Sequence, residues 1–138
     1  MMNLEERIMS HEGVKLKKYR DSLKNWTIYV GHLCKPGEVY LGTIEDAMAY
    51  LKKDIEVAKN DLATVFPNYA AFSQVRQECL IELLFNLGRP RFMGFKKMIH
   101  AININHWDDA ADELQDSKWY GQVGERRGDE LTEMMRQG

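Results

Sequence analysis

Apolar positions along the chain follow two different periods. Between Leu4 and His11 they recur at Leu4, Ile8 and Met9, a short helical spacing that Gly13 stops just after Glu12. From Val14 to Val30 the pattern changes. Tyr19, Trp26, Thr27, Ile28, Tyr29 and Val30 are strand formers, and Asp21-Ser22-Leu23-Lys24-Asn25 between them is turn-like. This predicts a β-hairpin that runs into a loop over Gly31 to Gly42. Thr43-Ile44-Glu45-Asp46 then opens a helix, the hydroxyl capping free N–H groups and the two acids favouring the positive end of the dipole. Ile44, Ala47, Met48, Leu51, Ile55, Ala58 and Leu62 continue it at three- and four-residue steps for about 20 residues, ending before Pro67. From Tyr69 to Leu87 the chain is apolar nearly all round, which predicts a central buried helix stopped by Gly88. Short helices follow over 95–104, 107–114, 119–122 and 125–136. The expected architecture is α+β and mainly helical, a single domain of two lobes. It has an N-terminal lobe with the hairpin (1–42), a connecting helix (43–66) and a helical lobe (67–138), and such a helix can hold a groove between lobes.

Composition narrows the functional classes. The chain has 138 residues, 44% of them apolar and 29% charged, ordinary values for a soluble globular protein. No apolar run approaches the roughly 18 residues of a membrane span, so no membrane insertion is expected. Met1 to Arg7 carries acids and no long apolar stretch, so no secretory signal is read there and synthesis in a cytoplasm is expected. The net charge of −2 argues against a protein that binds nucleic acid through phosphates. Charge is nevertheless uneven. Lys15, Lys17, Lys18, Arg20 and Lys24 lie within ten residues, and Arg89, Arg91, Lys96 and Lys97 form a second group. These are either solvated faces or surfaces attracted to an anionic polymer, a cell wall or a nucleic acid.

Several chemistries are excluded by motif. Two cysteines, Cys34 and Cys79, make no disulfide framework and no CxxC pair, and Cys79 reads as a core thiol. His11-Glu12 is not continued into His-Glu-x-x-His. Ser10 and His11, adjacent on a helix, do not face each other. Gly121 and Gly124 lack the strand and lysine of a phosphate loop. No metal and no cofactor is expected.

What remains is carboxylate chemistry. Cleaving a glycosidic bond requires one protonated carboxyl to donate to the leaving oxygen and one ionised carboxylate on the other side. Most of the 21 acids lie on helix faces rich in Lys or Arg. Glu12 closes the first helix and Asp21 sits at the hairpin turn, so a helix packed on a hairpin can present both to one groove.

The segment from Glu12-Gly13 through Tyr19-Arg20-Asp21 to Thr27-Ile28-Tyr29-Val30-Gly31-His32 resembles the active-site segment of the T-even phage lysozymes, glycoside hydrolase family 24. Phe85-Asn86-Leu87-Gly88, Gly94-Phe95, Trp107-Asp108-(Asp109)-Ala110-Ala111 and Trp119-Tyr120-(Gly121)-Gln122 with Arg126 follow in family order and spacing. The resemblance covers nearly the whole chain and implies the two-lobe lysozyme-like fold. It further implies an inverting muramidase that hydrolyses the β-1,4 bond from N-acetylmuramic acid to N-acetylglucosamine in peptidoglycan, acting as a monomer.

The resemblance also implies roles. Glu12 is the general acid, which must hold its proton at working pH, a state that partial desolvation favours. Asp21 is the base or water-positioning carboxylate, and Thr27 places the attacking water. Leu33, Phe85 and Gly31 match cleft positions, although Phe85 reads equally as a core aromatic. Arg126 matches an arginine that reaches the catalytic glutamate, a role open also to Arg127. His32 is expected to make an ion pair or hydrogen bond rather than transfer protons. An enzyme of this kind without a signal would reach the wall through a pore made by another protein, a holin, or equally as a lysozyme domain carried in a virion or cut from a longer chain.

The chain departs from the family at three places. Tyr29 stands where a glycine is usual, and Met98 and Glu113 stand where a relative presents polar cleft groups. Strand alternation places the Tyr29 side chain opposite those of Ile28 and Val30, projecting into the groove beside Thr27. There it would either stack on a sugar or block a subsite. Blocking would leave a lysozyme-fold module that binds glycan, or serves structurally, without cleaving it. A basic-patch nucleic-acid binder is the remaining rival, with few aromatics interleaved among its cations.

Overall fold

The computed structural model describes residues 2–138. Among these residues the chain forms eight α-helices and one three-stranded antiparallel sheet. It separates into two compact units, one ending at Val57 and one spanning Ala58–Gly138.

In the first unit, α1 covers Leu4–Glu12. The Asn3 side chain caps it by accepting from the Glu6 N–H at 2.8 Å, and Gly13, at φ 75°, stops it. The hairpin is β1 (Lys15–Arg20) and β2 (Trp26–Tyr29), with Tyr19 opposite Thr27 and Arg20 opposite Trp26. A third strand, β3 (His32–Leu33), pairs with β2 through Thr27–Leu33 and Ile28–His32. Two residues carry no alternation, so the pattern reading leaves β3 inside its loop. The core of this unit is Ile28, Tyr29 and Ala47, packed by Val14, Cys34, Tyr40, Met48 and Tyr50.

The long helix, α2, runs over Ile44–Val65. Thr43 Oγ1 accepts from the Asp46 N–H at 3.1 Å, the cap that the sequence predicts. Leu51, Ile55, Ala58 and Leu62 are buried along its apolar stripe. Residues 44–57 belong to the first unit and 58–65 to the second.

The second unit is all helical. A 3-10 turn at Tyr69–Ala71 precedes α3 (Gln74–Leu87), because Ser73 adopts an extended backbone and caps α3 by accepting from the Arg76 N–H. The helix read from Tyr69 onward therefore begins five residues later. α4 (Arg89–Phe92) is a single turn with its proline at the start, where a missing N–H costs nothing. α5 (Lys96–Asn103), α6 (Trp107–Gln115), α7 (Lys118–Val123) and α8 (Glu125–Gln137) complete it.

As its composition predicts, α3 is buried through Cys79, Leu80, Ile81, Glu82, Leu83, Leu84 and Leu87. The acid in that run is matched from α8. Arg127 Nε donates to Glu82 Oε2 at 3.1 Å, both side chains almost fully buried. Arg76 donates from Nε and Nη2 to the carbonyls of Met135 and Arg136, at 2.8 and 2.7 Å, satisfying acceptors that the end of α8 leaves open. Trp119 Nε1 donates to Asn86 Oδ1 at 2.9 Å. That bond joins two of the sequence segments that carry the family resemblance, and gives them a structural reason.

Candidate active site

The first unit gathers Glu12, Asp21, Thr27 and Gly31 around its sheet. Glu12 is the last residue of α1. Its carboxyl lies against Gly31: a Cβ on Gly31 would stand 3.1 Å from both Cδ and Oε1 of Glu12. Gly31 also has φ 66°, a conformation that L side chains rarely adopt. Two independent constraints thus require glycine at this position, and one of them is the glutamate itself.

Asp21 is the first residue of the hairpin turn and builds it. Its Oδ1 accepts from the Leu23 and Asn25 N–H groups at 2.9 and 2.8 Å, and its own N–H donates to the Asn25 carbonyl. These bonds fix the direction of the carboxylate. Thr27, 2% exposed, donates its hydroxyl proton to the Asn25 carbonyl at 2.9 Å, which leaves its oxygen as an acceptor. Tyr19, opposite Thr27 in the register, senses both acids. Burial raises its phenol pKa, and the negative charges of Glu12 and then Asp21 raise it further. One phenol therefore lies within electrostatic reach of both carboxylates. The sequence reading used Tyr19 as a strand former and as part of the Tyr19-Arg20-Asp21 segment, and gave it no role of its own.

His32 is 4% exposed and bridges two acids, Nδ1 at 2.7 Å from Asp54 Oδ2 and Nε2 at 2.8 Å from Glu38 Oε1. Burial pushes its pKa down, but the hydrogen bonds to Asp54 and Glu38 outweigh this and the net shift is upward. The ion-pair role expected of His32 is what the geometry holds. Its partners, 22 and 6 residues away, carry no pattern that singles them out.

The placement of Tyr29 corrects the sequence expectation. Tyr29 is 1% exposed and packs with Ile28 and Ala47 in the core. Its hydroxyl donates to Asp46 Oδ2 and accepts from the Gly42 N–H at 2.9 Å. Its ring meets Tyr40 and Tyr50 with centroids 6.1 and 5.7 Å away. It neither stacks on a sugar nor blocks a subsite, so the ground for a non-cleaving module falls away. Alternation fails because Tyr29 has φ 60°. That left-handed residue turns the strand and lets Ile28, Tyr29 and Val30 all be buried in succession. Leu33, 49% exposed on β3, is open to a ligand.

In the second unit, Met98 and Glu113 line one cavity of about 630 Å³ with Leu87, Phe95 and Trp119, although Met98 itself is only 1% exposed. Phe85 is half-buried on α3 and does not line that cavity. Of the two candidate arginines, Arg127 is committed to Glu82 inside the helical unit, whereas Arg126 is exposed on α8.

A mainly helical α+β chain, with a small sheet that offers a helix-terminal glutamate and a turn aspartate, has the architecture of the lysozyme-like glycoside hydrolases. The phage lysozyme family profile matches residues 9–135, and the chain belongs to that family. It is 26% identical to a probable T4-type lysozyme 2 of Dictyostelium discoideum, over 90% of this chain and 88% of that protein. It is 30% identical to the endolysin of Salmonella phage P22, over 77% of this chain and 74% of the relative. A third likeness, 26% identity over 88% of this chain, covers 26% of the pre-baseplate central spike protein Gp5 of Enterobacteria phage T4. The protein is accordingly an enzyme, a lysozyme among the glycoside hydrolases. Among the described residues no helix is long and apolar enough to cross a membrane.

Proposed function

We propose that this lysozyme hydrolyses the β-1,4 bond between N-acetylmuramic acid and N-acetylglucosamine in bacterial peptidoglycan, with inversion. Glu12 donates the proton to the leaving oxygen. Asp21 and Thr27 hold the attacking water from the opposite side: the water donates to Asp21 and to Thr27 Oγ1, whose own proton is spent on Asn25. Its free lone pair is then directed at the anomeric carbon. Inversion needs room for that water, so the carboxyls of such enzymes stand roughly 6.5–9.5 Å apart and no covalent sugar–enzyme bond forms. What supports this reading is that the Glu12 carboxyl, at the end of α1, lies against Gly31, while Asp21 heads the hairpin turn and Thr27 follows on β2 with its hydroxyl oxygen left as an acceptor.

Leu33, Gly31, Phe85, Met98, Glu113 and Arg126 are proposed as its substrate-contacting and supporting groups, with Gly31 acting chiefly through its contact with Glu12. The enzyme works as a monomer and reaches the wall after release through a holin pore.

The test is Glu12→Gln, which keeps the size of the side chain and removes the acid. Turnover should fall by about 10²–10⁴, the range general acid catalysis supplies, with the melting temperature unchanged. The assay is turbidity clearing of permeabilised cells, with mass spectrometry of the products. Clearing at the wild-type rate, or new reducing ends on glucosamine instead of muramic acid, would defeat the assignment.

A further inference from the structure

Six of the seven charged residues between Val14 and Gly37, His32 aside, are cations: Lys15, Lys17, Lys18, Arg20, Lys24 and Lys35, against Asp21 alone. This segment is the whole sheet with its turn, in a chain whose net charge is −2. β1 is an edge strand, exposed at every position but Tyr19. Elsewhere the cations are often neutralised, Arg89 by Asp61, Arg127 by Glu82 and Arg136 by Asp108 and Asp112. Among the described residues none of the six sheet cations makes an ion pair. Three are held instead over aromatic faces, Lys15 at 4.1 Å from the Tyr19 ring centroid, Lys18 at 5.4 Å from Tyr40 and Arg20 at 4.5 Å from Trp26.

A ring face orients a cation without cancelling its charge. An ion pair would do both. The sheet therefore carries a positive stripe that, among the described residues, is partly oriented by rings and not neutralised by ion pairs. Concentrated charge of one sign attracts an oppositely charged polymer and raises its encounter rate.

We propose that the β1 stripe, centred on Lys15, Lys17 and Lys18, is a docking surface for the carboxylates of peptidoglycan stem peptides. It would hold the polymer beside the catalytic residues without touching the reacting atoms. This proposal rests on the peptidoglycan reading above and adds to it the part of the substrate that is not sugar. A polymer bearing many carboxylates is the partner favoured on charge complementarity, because six cations against one acid along the sheet segment match a partner that presents several negative charges in succession.

The test is the triple variant Lys15→Gln, Lys17→Gln, Lys18→Gln, none of them a catalytic group. Reducing ends released from intact sacculi, and from glycan strands stripped of their peptides by an amidase and then amidated so that the lactyl carboxylates the amidase uncovers are neutral too, are followed from about 20 mM to about 500 mM salt, where screening shortens to a few ångströms. On intact sacculi at low salt the variant should lose about tenfold in kcat/KM, at the lower end of what electrostatic steering supplies. The two proteins should converge at high salt and be indistinguishable on stripped strands at every salt.

Equal activity on intact sacculi at low salt would overturn the proposal, as would an equal loss on stripped strands. A variant that binds sacculi normally but loses sedimentation with vesicles of anionic phospholipid would also overturn it, in favour of a membrane surface. If the wild type releases no reducing ends from intact sacculi, the lysozyme chemistry itself fails. Sedimentation of both proteins with sacculi still decides on the stripe in that case.

Discussion

Replacing Tyr29 by glycine separates two explanations of an unusual residue. Tyr29 has φ 60°, a conformation that costs an L residue about 1–2 kcal/mol and a glycine almost nothing. Against that gain stands a ring that is 1% exposed among Ile28, Ala47, Tyr40 and Tyr50. Removing a large buried aromatic costs about 3–5 kcal/mol. The difference leaves Tyr29→Gly destabilised by about 1–4 kcal/mol. At this chain length that is a fall in melting temperature of about 3–14 °C. Activity per folded molecule should not change, because the ring faces the core. Thermal unfolding followed by circular dichroism, with turnover measured well below the transition, reads both quantities. Stability equal to wild type together with faster turnover would refute this reasoning and return the ring to the groove.

Three further outcomes follow from the same geometry. Gly31→Ala places a methyl 3.1 Å from the Glu12 carboxyl and strains a residue at φ 66°, so kcat should drop about tenfold, against the hundredfold that a full 1 Å displacement can cost; unchanged kcat would show that the contact is idle. The His32 pKa is raised in the fold, so its stabilisation is complete below 6.5 and fades as pH climbs through the raised value, whereas the Glu38 pKa is lowered, so its share is complete above 4.5 and fades on acidification. Unfolding temperature should therefore peak between those two values, and His32→Gln should flatten its alkaline side; a curve that keeps its shape in that variant contradicts the ion-pair account. Arg127→Ala strips the guanidinium from a fully buried Glu82 and should cost about 3–5 kcal/mol by urea titration, while Glu82→Leu with Arg127→Met should be close to neutral.

The elements legible in sequence were those long enough to repeat. α2 and α3 bury one stripe and nearly all faces respectively, and their apolar spacing says so within a few residues. β3 and α4 were illegible because two residues and one turn cannot show a period. The start of α3 was misplaced because Ser73 reads as one more polar residue until its hydroxyl is seen capping the helix. For the proposed site, Glu12, Asp21 and Thr27 were singled out by an ordered motif, not by their spacing. Tyr29 was misread because alternation assumes that every strand residue has a negative φ. The partners of His32 and Tyr29 were invisible because Glu38, Asp54 and Asp46 are ordinary surface acids until the chain folds back on them.

The hairpin turn has a consequence for how such an enzyme can lose its activity. The oxygen of Asp21 that receives the Leu23 and Asn25 amides can be supplied as well by a side-chain amide as by a carboxylate. A single-step change to asparagine would leave the turn, and hence the sheet, fully formed while abolishing the negative charge proposed to guide water. Alanine would forfeit both. Inactive but well-folded descendants of this scaffold are therefore one mutation away, and they should carry Asn rather than a hydrophobic residue at the turn.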